Sequence, residues 1–171
     1  LVYLDNAASA QRPLAVTDLW QRLSLEENAN IHRAVHHLAG LATDAYEGAR
    51  DAVKDFLHAP SREEIVFTSG APAAVNLVAF SFGEAFIHEG DEIIVSVEEQ
   101  HSNIVPWQML CERKKAVLKV LDISENGVLL PDALEILISE RTKIVAISHI
   151  SNVLGLVNPV QKLVQICHKI A

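Results

Sequence analysis

From about residue 63 onward, short runs rich in Val, Ile and Leu alternate with longer segments whose apolar residues recur every three or four positions. That alternation is the pattern of a parallel β-sheet covered by helices, because parallel strands are joined by helical crossovers that bury both faces. Four strands are expected, at Glu64–Thr68, Glu92–Val97, Val117–Asp122 and Lys143–Ser148. Each is short and apolar, as a doubly covered strand should be. The intervening segments predict helices over residues 71–86 and over Asn103–Arg113. In the second of these, Asn103 is a candidate N-cap, and Ile104, Trp107 and Cys111 follow at three- and four-residue spacing. Pro131 and Pro159 each suit the first turn of a further helix, where a missing N–H costs no intrahelical bond. The helix over 159–170 would place Val160, Leu163, Val164 and Cys167 on one face.

Before residue 63 the pattern changes. Residues 13–24 and 42–57 have helical periodicity, and the second segment carries Tyr46, Ala49, Val53 and Phe56 on one stripe. A polar, histidine-rich connection, Glu26–Gly40, joins them. The expected organisation is an N-terminal helical segment with a substrate-side loop over residues 1–62, followed by an α/β unit over residues 63–171. The fold class expected is α/β, a three-layer and mostly parallel sheet with helices on both faces, preceded by N-terminal helices. Glu125-Asn126-Gly127 marks a tight turn within the second part.

Composition removes several classes of function. The 171 residues carry 14 Lys and Arg against 22 Asp and Glu, a formal net charge of −8, with no basic stripe to meet a phosphate backbone, so nucleic acid is not expected as a partner. Apolar runs such as Ile144-Val145-Ala146-Ile147 fall far short of the roughly 20 residues a membrane span requires. The opening Leu1-Val2-Tyr3-Leu4-Asp5 has the features of no secretory signal. Cys111 and Cys167 sit in helical patterns away from other metal-ligand residues and read as buried reduced thiols, which points to the cytoplasm.

In an open parallel sheet, ligands bind beyond the carboxyl ends of the strands, where loops diverge and helix N-termini face outward. Four loops are therefore candidates: Ser69–Pro72, Glu98–Asn103, Asp122–Gly127 and His149–Gly155. The first runs strand, glycine, helix, an arrangement that suits an anion but equally a plain turn. Pro72 removes one N–H from that turn. No P-loop or dinucleotide glycine signature occurs, which argues against a nucleotide-binding domain. His32 and His36 are spaced as helix-face metal ligands but lack a third partner, so they are expected at a hydrogen-bonded or solvated helix edge rather than at zinc.

Four strings add a more specific signal. Tyr3-Leu4-Asp5-Asn6-Ala7-Ala8-Ser9, Asn30-Ile31-His32-Arg33, Asn103-Ile104-Val105-Pro106-Trp107 and Ser148-His149-Ile150-Ser151-Asn152-Val153-Leu154-Gly155 together resemble SUF-type cysteine desulfurases of the class V aminotransferase family. The resemblance covers the whole chain and implies the N-terminal part of a fold type I pyridoxal 5′-phosphate (PLP) enzyme, a partial large domain. Such enzymes are homodimers that take sulfur from L-cysteine, leaving alanine and an enzyme persulfide. The persulfide passes to a sulfur-acceptor protein for iron-sulfur cluster assembly. By the same resemblance, Asn152 is the asparagine that bonds the PLP phenolic oxygen. Gly70, Ala71, Gln100 and His101 fall at the cofactor, and Ala8, His32 and Arg33 fall on the substrate side.

The chain departs from the family at the cofactor. Where the family reads Arg-Gly-Thr-Thr-Glu, this sequence has Ser69-Gly70-Ala71-Pro72-Ala73, so two phosphate-binding hydroxyls are gone. Each lost hydrogen bond to a charged group is worth about 1.5–3 kcal/mol. The ring-stacking histidine falls on Gln100, which neither titrates near neutrality nor offers an aromatic face; a second family histidine falls on His101. The Schiff-base lysine, the pyridinium-pairing aspartate and the persulfide cysteine lie beyond the matched region in the family, so no catalytic residue is assigned. Lys143, Lys162 and Lys169 match no family lysine. Two readings follow: an N-terminal part of a desulfurase, inactive as this chain alone, or a PLP-free relative acting as a binding or assembly module. Both predict self-association or pairing with another desulfurase subunit.

Overall fold

In the computed structural model, which describes residues 2–33 and 35–170, three of the four expected strands form and all run parallel. They are β1 (Glu92–Ser96), β2 (Val117–Leu121) and β3 (Thr142–Ala146), in the order β2-β1-β3. The register pairs Ile94 with Lys119 on one side and with Val145 on the other, so all three carboxyl ends reach the same rim. The chain divides into two compact units, Leu1–Phe67 and Thr68–Ala171, and the sheet belongs to the second.

Alternation along the central strand separates two cores, since successive side chains of a strand point to opposite faces. Ile93 and Val95 pack with Ala79, Ile87, Trp107, Leu110 and Cys111 on one face. Ile94 packs with Leu121, Leu129, Leu134, Leu163 and Ile166 on the other. Full burial of each such aliphatic side chain contributes about 1.5–3 kcal/mol. The first face is covered by α3 (Ala71–Val78), which continues through a π turn (Ala79–Gly83) into α4 (Glu84–Phe86), and by α5 (Val105–Lys114). The second is covered by α6 (Pro131–Leu137) and α7 (Val160–Ile170). The expected three layers are present, with Pro131 opening α6 and Pro159 immediately preceding α7. At the expected tight turn, Gly127 has φ +78°, and a bridge between Ile123 and Leu129 closes the loop.

Three expectations are corrected. Residues 64–68 do not form a strand. Arg62–Glu64 is a 3-10 turn, and Ile65 is extended and buried without a ladder, its carbonyl taken by the Arg50 guanidinium. A β-strand needs a neighbour to pair its backbone, and this segment forms no ladder among the described residues. Asn103 is not the N-cap of α5: it closes a 3-10 turn, His101–Asn103, and Ile104 occupies the cap position. Its side chain is engaged elsewhere, accepting from Trp107 Nε1 at 3.0 Å and donating to Glu99 at 2.8 Å. Cys111 is buried as expected, but Cys167 is only half-buried, at the margin of the second core.

The first unit contains α1 (Leu14–Leu25), which buries none of its residues, and α2 (His37–Leu57). Helix α2 starts earlier than its apolar stripe suggests because His36 caps it, Nδ1 accepting the Ala39 N–H at 3.2 Å. Arg50 anchors the end of this unit to α2. It donates to Tyr46 and lies over the rings of Tyr46 and Phe67, which meet edge to face at 5.6 Å.

Candidate functional site at the carboxyl rim of the sheet

Parallel register brings the loops after β1 and β3 side by side, and a carboxylate ties them together. Glu99, 8% exposed, accepts hydrogen bonds from Ser96 Oγ (2.6 Å), Asn103 Nδ2 (2.8 Å), Ser148 N (2.6 Å) and Ser148 Oγ (2.6 Å). A buried carboxylate is tolerable only with such a full set of donors. Sequence reasoning missed Glu99. Ser96 and Asn103 are near it in sequence, but the Ser148 donors lie on another strand's loop, so the sequence alone carried no signal for it.

The loop after β3 is a small self-bonded structure. Ser151 N–H donates to the Leu156 carbonyl and Gly155 N–H to that of Ser151, each at 2.9 Å, while Ile150 and Val157 form a bridge. Gly155 takes φ +69°, a left-handed conformation that favours glycine. Asn158, 2% exposed, fixes the base by donating to Glu98 and, at 2.9 Å, to the Ser148 carbonyl. Asn152 stands exposed in the turn between these anchors.

Gly70 caps α3 with φ +152°, a backbone state open to glycine, and the helix packs beside the His101–Asn103 turn. Gly70, Ala71, Gln100 and His101 are all exposed. The second unit therefore sets Gly70 and Ala71 at the start of α3, Gln100 and His101 in the loop after β1, and Asn152 in the loop after β3. Ala8, His32 and Arg33 belong to the first unit and are also exposed. Ala8 sits in a loop that Tyr3 closes, its hydroxyl donating to the Ser9 carbonyl at 2.8 Å. His32 adopts φ +56°, donates its N–H to Thr43 Oγ1 at 3.1 Å, and places Nε2 3.1 Å from Glu47. Both partners of His32 lie on α2, and no group of three His, Cys, Asp or Glu side chains that could hold a metal occurs among the described residues.

The lysines of the sheet point away from the rim. Lys119 reaches Glu92 at the amino end of β1 (2.7 Å), and Lys143 donates to the Glu140 carbonyl at the amino end of β3. Burial pushes the thiols of Cys111 and Cys167 up, away from the reactive thiolate form.

The sequence matches the family described as aminotransferase class V over residues 2–171. The chain belongs to the class-V aminotransferase family. Within it, the chain is 49% identical over 169 residues to a probable cysteine desulfurase of Halalkalibacterium halodurans, covering 99% of this chain and 42% of that protein. The apo cysteine desulfurase of Thermococcus onnurineus superposes with a TM-score of 0.91 at 36% identity, over 98% of this chain and 41% of that one. The Escherichia coli cysteine desulfurase CsdA, in its S-sulfonic acid form, gives a TM-score of 0.84 at 36% identity. The chain thus spans about two fifths of the length of these class-V relatives.

Class-V desulfurases imply PLP, and the residues at this rim do not fit it. The first turn of α3 offers the amides of Ala71 and Ala73, while Pro72 has none and the Ala74 N–H is already bonded to the Gly70 carbonyl at 3.0 Å. No side chain caps the turn. The nearby Thr68 hydroxyl is bonded to the Gly70 carbonyl at 3.1 Å, and the Asn76 amide to the Pro72 carbonyl at 2.8 Å. Of the cofactor-side positions that the resemblance marks, Gly70, His101 and Asn152 keep the residue it calls for, and Ala71 and Gln100 do not.

Proposed function

We propose that this chain is part of a SUF-type cysteine desulfurase scaffold, supplying the sheet, its carboxyl rim and Asn152, and that it does not by itself release sulfur from L-cysteine. The observation that carries this reading is the rim's chemistry. Among the described residues neither a lysine ammonium nor an accessible thiolate stands there, so nothing can form a covalent link to PLP or accept sulfur. The whole family reaction makes alanine and a persulfide that is handed to an acceptor protein for iron-sulfur cluster assembly, in the cytoplasm. Here it would require groups from further polypeptide. A homodimer, or association with another desulfurase subunit, is the corresponding assembly. The groove beside β3, lined by Val75, Val78, Phe82 and Ile144, supports such an association. No helix among the described residues is long and apolar enough to cross a membrane.

Incubating the 171-residue chain with PLP and L-cysteine tests the proposal. The expected result is no alanine or sulfide above the protein-free rate. Borohydride reduction and peptide mapping should find no single dominant trapped lysine. Turnover with one mapped lysine would overturn it. A second reading, a PLP-free relative acting as a binding or assembly module, is favoured by Ala71-Pro72-Ala73 and Gln100. Co-elution with an intact desulfurase subunit, unchanged by added PLP, would select it.

A further inference from the structure

We propose that the rim has lost its preference for a phosphorylated ligand, so that this chain holds a pyridoxine ring no better when the ring carries a 5′-phosphate. The inference deepens the proposed function and rests on it for the choice of ring. A phosphate in a protein site is held by converging N–H or O–H donors, by cationic side chains, or by both. At α3 the donors are the backbone amides of Gly70, Ala71 and Ala73 and the single Ser69 hydroxyl, with the neighbouring Thr68 and Asn76 side chains committed to carbonyls.

The charge balance points the same way. The segments that form this part of the rim, residues 68–73, 97–103 and 147–158, contain no Lys or Arg, and they contain Glu98 and Glu99. Glu99 spends its oxygens on Ser96, Asn103 and Ser148, and Glu98 accepts from Asn158, so both act as fixed acceptors. An anion here meets two carboxylates and no fixed cation, and the dipole of one short helix is a small offset. The exposed His101 and His149 are the remaining basic side chains of these loops.

The test compares pyridoxine 5′-phosphate with pyridoxine by equilibrium dialysis against the full 171-residue chain. These probes lack the aldehyde and cannot label surface lysines. Equal affinity, or no binding of either compound, is the expected wild-type result. The variant Ala71→Thr/Pro72→Thr restores two hydroxyls and one N–H at exposed positions. It should bind the phosphorylated compound at least about tenfold better than wild type does, with pyridoxine unchanged. A wild-type preference for the phosphate of more than about tenfold would sink the inference, since a single charge-assisted hydrogen bond suffices to produce that ratio. A variant that gains nothing would also sink it, because the loop would then not be the cause. Turnover by the wild-type chain with a ratio near unity removes the proposed function and leaves this inference standing. Absence of turnover with a strong phosphate preference does the reverse.

Discussion

Gly83 shows how tightly single positions are specified in the first core. It lies buried in the π turn, and a Cβ built there would clash with Leu110 Cδ2 and come within 3.2 Å of Cδ1. Leu110 is itself fully buried, so its side chain has little room to yield. Gly83→Ala is expected to cost about 1–3 kcal/mol through overpacking, measured by urea denaturation. Combining it with Leu110→Ala should give less than the sum of the two losses, because the two residues share one space. Glu99 is the polar counterpart. Glu99→Ala would leave the donors on Ser96, Asn103 and Ser148 without their acceptor, at an expected cost of about 3 kcal/mol in the same measurement. Neither position announced itself in the sequence. A glycine in a helical pattern and one of two adjacent glutamates carry no periodic signal, and their importance appears only when a distant residue is placed against them.

At the scale of elements, the sheet is tied at both ends by a carboxylate. Glu92 does at the amino end what Glu99 does at the rim, accepting from Lys119 on β2 (2.7 Å), Thr142 on β3 (3.0 Å) and Ser139 (2.7 Å). The hydrogen bond from Lys119, then that from Ser139, holds the Glu92 carboxyl below the usual glutamate range. A carboxyl lowered in the folded state binds its proton more readily when unfolded. Its contribution is therefore present above the ordinary glutamate range and lost as pH falls through the lowered value. Denaturation midpoints measured from about pH 7 down to about pH 3 should decline for the wild type, and Glu92→Gln should be less stable at neutral pH with a shallower acid decline. The element pattern itself was largely readable, because short β-branched runs and Pro at helix starts reflect local physics. The strand expected at 64–68 failed for a non-local reason, since apolar alternation cannot reveal whether a partner lies alongside. Asn103 failed because its amide has better partners in Glu99 and Trp107 than a helix amide would be.

For the molecule as a whole, the family was legible because four ordered strings leave little room for coincidence, while the fitness of the rim for PLP was legible only in part. The resemblance put the departures from the family pattern at Ala71, Pro72 and Gln100. The structure added that the nearby hydroxyl and amide groups of Thr68 and Asn76 are already bonded to carbonyls and that the adjoining loops carry carboxylates without cations. The interior, by contrast, is intact: Ile93, Ile94, Leu110, Leu121, Leu129, Leu134 and Leu163 are all essentially inaccessible to solvent. Separation of a dry interior from a solvated border has an evolutionary corollary. Exchanges at Ala71, Pro72 or Gln100 meet water rather than packed neighbours, so they are close to neutral for folding. At these three positions selection for chemistry acts without a counterweight from folding, so a descendant can change them and keep its interior.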